Sequence, residues 1–177
     1  MESNGDVDKL KTKRASVCTF ILILFFIFTI IVPVYANDID NSNYIQNASI
    51  GNITFDDDFD LDTISEVLGP FDSVEKTITD TGFIEKTYYF ERGTVHVLFD
   101  KVVGATVIFP ASPTGETLST PRGVTVGQYK TQVLKAYGRP AYGQSDIYFY
   151  GEGPYKLCFH LNKSGYVKAI SYFVDGL

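Results

Sequence analysis

Two hydrophobic periods alternate along the chain from Phe55 onwards. Over residues 60–70 (DLDTISEVLGP), Ile64, Val67 and Leu68 recur at three-and-four spacing, which puts them on one helical face. Gly69 and Pro70 end that helix, the glycine by accepting a cap conformation and the proline by forbidding continuation. The same arrangement returns within residues 120–142. There Val133, Leu134 and Tyr137 form the apolar face, Lys130 and Lys135 lie opposite, and Gly138 and Pro140 close the helix.

After each helix the period drops to two. Residues 74–79, the turn Asp80-Thr81-Gly82 and residues 83–91 read as a hairpin, and Arg92-Gly93 as the next turn. Residues 94–100 set Val95, Val97 and Phe99 against Thr94, His96 and Leu98, and Gly104 is expected to turn the chain into residues 105–110. In the second half, residues 146–150 (DIYFY) correspond to residues 87–90 (TYYF). Residues 155–162 set Leu157, Phe159 and Leu161 against Cys158 and His160, Lys163-Ser164-Gly165 turns, and residues 166–174 close the unit. Residues 140–144 supply at most a stub matching residues 74–79.

The expected fold class is therefore α+β, with two tandem repeats at residues 55–110 and 123–177 and a linker at 111–122. Each repeat is a short helix followed by antiparallel strands. Neither can bury its apolar face alone, but side by side, with both helices on one face of the sheet, they can. Ahead of them lies an N-terminal hydrophobic helix within residues 1–36. Lys9, Lys11, Lys13 and Arg14 precede an uncharged apolar run from Ala15 to Val34, and Val34-Tyr35-Ala36 supplies small residues at the −3 and −1 positions of a signal-peptide cleavage site. The run, about 20 residues, is also long enough for an uncleaved anchor. Either way the remainder is expected to be extracytoplasmic, secreted or tethered to the membrane, because the basic flank stays inside. Residues 37–54 are Asn-rich and read as a flexible spacer.

Charge and chemistry narrow the picture. A net charge of −6 with no basic face argues against a nucleic-acid partner. Cys18 precedes the apolar run instead of ending it, so it is not placed as a lipobox cysteine, and Cys158 reads as a small buried hydrophobe in a strand. The acidic residues Asp56, Asp57, Asp58, Asp60 and Asp62 lack the spacing, the glycine and the closing Glu of a calcium loop, and suit the start of the first helix better. His96 and His160 lie opposite the apolar faces of their strands; two ligands do not make a metal site. Glu85, Glu91 and Glu152 are available carboxylates, but no nucleophile elbow, phosphate loop or zinc-protease motif accompanies them, and no cofactor is implied.

The positive signal is aromatic, at 15% of the sequence with no Trp. Consecutive rings at Tyr88-Tyr89-Phe90 and Tyr148-Phe149-Tyr150 must point to both sides of a sheet. One set is therefore expected on a face available to a partner, and Tyr88, Phe90, His96, Tyr148, Tyr150, His160 and Tyr172 are the candidates for it.

Helices that end in Leu68-Gly69-Pro70 and Tyr137-Gly138-Arg139-Pro140, with Val124-Thr125-Val126-Gly127 leading into the second, resemble the beta-lactamase inhibitor protein-like architecture. The single unit resembles the smaller SmpA/OmlA (BamE)-type family of exported bacterial proteins. The resemblance covers roughly residues 55–177 and implies a scaffold whose sheet, away from its helices, meets a protein or cell-envelope partner. It brings no catalytic residues. The expected function is a non-enzymatic binding module. An envelope-acting hydrolase or metal-dependent enzyme using His96, His160 and the acidic run, and a structural assembly module, are the alternatives.

Overall fold

The first helix forms where its pattern and cap agree. Asp60 takes the N-cap position of α1 (Leu61–Leu68) and its carboxylate accepts a hydrogen bond from the Thr63 N–H at 2.9 Å. That bond holds the Asp60 carboxyl below the usual range. Ile64, Val67 and Leu68 are buried, and Gly69 at φ 85° ends the helix by donating to the Ser65 carbonyl. The structure, a computed structural model, describes residues 48–144, 146–151 and 154–174. The expected leader and anchor at residues 1–36, and the spacer up to residue 47, lie outside the described residues.

The second helix, α2 (Lys130–Tyr137), has Tyr129 at its N-cap and no side-chain cap. Its start is fastened from elsewhere, by the Lys130 N–H donating to the Gly165 carbonyl at 2.9 Å. Val133 and Tyr137 are buried, but Leu134, expected on the same face, is 37% exposed. The four-residue spacing of Val133 and Tyr137 sets the buried stripe, and Leu134 lies one position round from it.

Eight strands form one antiparallel sheet: β3 (Phe71–Ile78), β4 (Ile84–Phe90), β5 (Gly93–Leu98), β6 (Lys101–Val107), β7 (Tyr142–Gln144), β8 (Ile147–Tyr150), β9 (Tyr155–Leu161) and β10 (Val167–Val174). Their order is β3-β4-β5-β6-β10-β9-β8-β7, so that β6 and β10 meet in the middle and β3 and β7 are the edges. The fold is α+β. A two-stranded hairpin of β1 (Ser49–Ile50) and β2 (Ile53–Thr54) precedes α1.

Three expectations change. Residues 48–54, assigned to the spacer, belong to the fold: Ile50 and Ile53 are fully buried, and the Tyr172 hydroxyl donates to the Ile53 carbonyl at 3.1 Å. Their Ile-X-X-Ile pattern is too short to read as periodic. The turn expected at Gly104 falls instead at Phe99-Asp100, both with positive φ (53° and 59°), in a two-residue hairpin between the paired Leu98 and Lys101. As a result Leu98 is buried and Phe99 is exposed, the reverse of the expected alternation. Gly104 runs straight through β6; a Cβ there would lie 3.0 Å from the Tyr172 carbonyl and 3.3 Å from Phe173, so the glycine serves the close approach of β6 to β10. The stretch expected as the linker, residues 111–122, packs on the core. Leu118 and Thr120 are 2% exposed, and the Leu118 N–H donates to the Pro110 carbonyl at 2.8 Å.

Among the described residues, both helices, the β1–β2 hairpin and the loop at 111–122 join one apolar core on one side of the sheet. Ile50, Ile53, Ile64, Leu68, Leu118, Val124, Val133 and Tyr137 share a single apolar cluster with Val95, Val97, Val107, Phe159, Ile170 and Tyr172. Removing that much apolar surface from water is the main stabilising term of such a fold.

Candidate partner-binding face

Strand register decides which residues the helices cover. On the covered side, one cross-strand row runs Val74–Tyr88–Val95–Ala105–Tyr172–Leu157–Tyr150. The next runs Phe71–Phe90–Gly93–Val107–Ile170–Phe159–Tyr148. Five of the seven candidates therefore point the other way from expectation. Phe90, Tyr150 and Tyr172 are buried in the core, and Tyr88 and Tyr148 are half-buried against it. Tyr88 stacks on Phe59, Tyr150 sits against Tyr137 and Phe159, and the Tyr150 hydroxyl donates to the Gly138 carbonyl at 3.0 Å. Burial pushes the Tyr150 and Tyr172 phenols up.

The two histidines do lie on the uncovered side. There the rows read Ser73–Tyr89–Thr94–Thr106–Ser171–Cys158–Phe149–Tyr142 and Glu75–Thr87–His96–Gly104–Phe173–Lys156. The aromatics this face carries are thus Tyr89, Phe149, Tyr142 and Phe173, one position away from those expected. The signal that would have found them is the β4–β5 turn. Pairing Phe90 with Gly93 puts Tyr88 opposite Val95, and the alternation of β5 already marks Val95 as core.

This face is polar at its centre. The His96 Nδ1 lies 2.6 Å from Glu85 Oε1 and 3.3 Å from the Thr87 hydroxyl. The Thr106 and Ser171 hydroxyls are 2.9 Å apart, across the junction of β6 and β10. His160 Nε2 is 3.4 Å from the Ser171 hydroxyl and 3.5 Å from the Cys158 sulfur. Burial, and then the charge of Lys168, hold the His160 imidazole below its ordinary value, opposed by Asp146. At the flank, Tyr142 stacks on Phe149 at 4.9 Å and the Lys156 ammonium lies 5.6 Å from the Tyr142 ring centre. The Tyr89 hydroxyl donates to Glu75 at 2.8 Å, which raises its pKa. A cavity of about 260 Å³ opens on this side, lined by Glu85, His96, Val103, Thr106, Ser171, Phe173 and Val174 with Tyr172 behind them.

The chemistry available is hydrogen bonding and ring contact. Cys158 is buried and its thiol is pushed up to about 12 by that burial, so no thiolate is presented. His96 and His160 have separate partners, and among the described residues no group of three His, Cys, Asp or Glu is arranged to hold a metal ion. The acidic run divides: Asp60 and Asp62 serve the start of α1, whereas Asp58 pairs with Lys101 at 2.8 Å beside the strand-like contacts of Asp56 and Asp57 to Val102.

No family model matches the chain, and no curated protein does. Among solved structures it is similar to an extracellular protein containing a SCP domain from Bacillus anthracis str. Ames, with 15% identity, a TM-score of 0.34 and coverage of 72% of this chain. The chain spans 45% of the length of that protein.

Proposed function

We propose that the chain is an extracytoplasmic, non-enzymatic binding module that meets a protein or cell-envelope polymer through the side of the sheet its helices leave uncovered. The observation that carries this reading is the one-sidedness of the packing among the described residues: helices, hairpin and loop all join a single core, while the opposite face presents the Thr106 hydroxyl, a Glu–His pair and half-buried rings. Extended polar-and-aromatic surfaces of this kind are suited to recognition. The basic segment and apolar run of residues 1–36 support export. The reading includes a duplicated architecture, in keeping with the beta-lactamase inhibitor-like resemblance. Each helix is followed by four strands in up-and-down order, and the two sets meet at β6 and β10.

The test is capture from an envelope extract by the immobilised full-length chain, compared with a Tyr89→Ala, Thr106→Arg double variant. Thr106→Arg fills the cavity and Tyr89→Ala removes a ring from the same row. Loss of the captured component at an unchanged melting temperature is expected. Equal capture by both proteins, or none by the parent, overturns the proposal.

A further inference from the structure

The outer edge of β3 is built differently from the rest of the sheet. All eight of its residues are exposed, with Val74 at 42% and Ile78 at 73%, whereas the opposite edge, β7, is three residues long. The Thr79 N–H donates to the Phe83 carbonyl at 2.8 Å, which fixes the alternation of the β3–β4 ladder. Odd-numbered residues turn their main chain towards β4, and Val74, Lys76 and Ile78 turn N–H and C=O outwards. No proline interrupts the strand. Unpaired edges of this kind are ordinarily blunted, because they accept another strand.

Charge says which strand fits. Lys76 stands directly opposite Lys86 in the ladder, and Lys86 has Asp100 at 3.4 Å while Lys76 has no acidic partner among the described residues. We propose that β3 pairs antiparallel with β3 of a second copy of this chain, about a two-fold axis normal to the sheet that passes through Val74. Directly opposed residues must share a face, so the axis has to fall on a residue. Placed on Glu75 or Lys76, it opposes like charges. Placed on Val74, it packs Val74 on itself, sets Ser73 beside Glu75, and brings Asp72, at the bulge that ends the regular ladder, beside Lys76 of the second copy. Symmetry makes each of the last two contacts twice. The uncovered faces of both copies then lie on the same side, which makes the assembly bivalent towards any partner.

Sedimentation velocity of the purified full-length chain tests this, and a dimer is expected. Asp72→Lys and Lys76→Asp should each weaken association by about tenfold or more, and the double reversal should restore it. Val74→Pro removes an outward N–H that the monomer does not use and should abolish association. In a Cys18→Ser background, Val74→Cys should form a disulfide-linked dimer under mild oxidation, since opposed residues of an antiparallel pair have Cα atoms within disulfide range, whereas Thr77→Cys should not. A chain that stays monomeric up to its solubility limit overturns the proposal. So does a dimer indifferent to the charge reversals and to Val74→Pro. Loss of envelope capture with the β3 dimer intact would tell against the binding face alone.

Discussion

Replacing Tyr150 with Ala separates the two faces of the sheet most directly. Tyr150 is 2% exposed, its ring centre lies 5.4 Å from that of Tyr137 and 5.8 Å from that of Phe159, and its hydroxyl donates to the carbonyl that ends α2. Truncating a buried aromatic to Ala forfeits its transfer free energy and leaves a cavity, together about 3–5 kcal/mol. The Gly138 carbonyl loses its donor as well, which adds up to about 1 kcal/mol. Against a total stability of about 5–15 kcal/mol, that is a large fraction. For a chain of this size it lowers the melting temperature by about 10 °C or more. Thr106→Ala removes the hydroxyl that faces the buried Ser171 hydroxyl and should cost about 1–2 kcal/mol, well below the Tyr150 loss. Urea titration followed by far-ultraviolet circular dichroism reads both. A Tyr150→Ala protein within about 1 kcal/mol of its parent would refute the assignment of this row to the core.

Phe99→Asn should stabilise the chain by about 1 kcal/mol, measured in the same titration, because Phe99 holds a left-handed conformation at a two-residue hairpin apex where Asn is favoured; a loss of stability would show that its contact with Phe83 outweighs the strain. Cys158 should react with a thiol reagent at pH 8 about a thousandfold more slowly in the native chain than in urea, given a thiol pushed up to about 12. Because the folded-state pKa lies above the unfolded one, the thiol's contribution to stability is whole below about pH 9 and is lost as pH rises towards 12, by at most about 1.4 kcal/mol per unit. Rapid native labelling, or a stability that rises over that window, would contradict the buried placement.

How much of this was legible in the sequence depended on whether the deciding information was local. Both helices, their glycine ends and the alternation of β9 could be read because each rests on residues within one turn or one strand. The parity of the aromatic pairs could not be read within Tyr88-Tyr89-Phe90 or Tyr148-Phe149-Tyr150, since either set can face the core. It is settled by pairing with Val95 and Leu157 on neighbouring strands. Gly104 misled because a glycine between two apolar stretches signals a turn, yet its purpose is set by Tyr172 and Phe173, nearly seventy positions on. The hairpin at Phe99-Asp100 was hidden for the opposite reason: neither residue is one the turn prefers. Ile50 and Ile53 were lost among asparagines, since only their burial beneath Tyr172 marks them as core.

That long-range glycine also bears on where a binding site can exist. Glu85, His96, Val103 and Thr106, from β4 to β6, line one side of the cavity, and Ser171, Phe173 and Val174 of β10 line the other. Neither set of strands holds the cavity alone. It exists because β6 and β10 pair through residues 104–107 and 170–173, with Gly104 letting Phe173 approach. The proposed site is thus made of strands held in register by main-chain hydrogen bonds, an arrangement that would lose little conformational freedom on docking. A Cβ added at Gly104 would lie 3.0 Å from the Tyr172 carbonyl and 3.3 Å from Phe173, so β10 has to give slightly at the point where it lines the cavity. Joining the two sets of strands and forming the cavity proposed for recognition are, on this geometry, the same event.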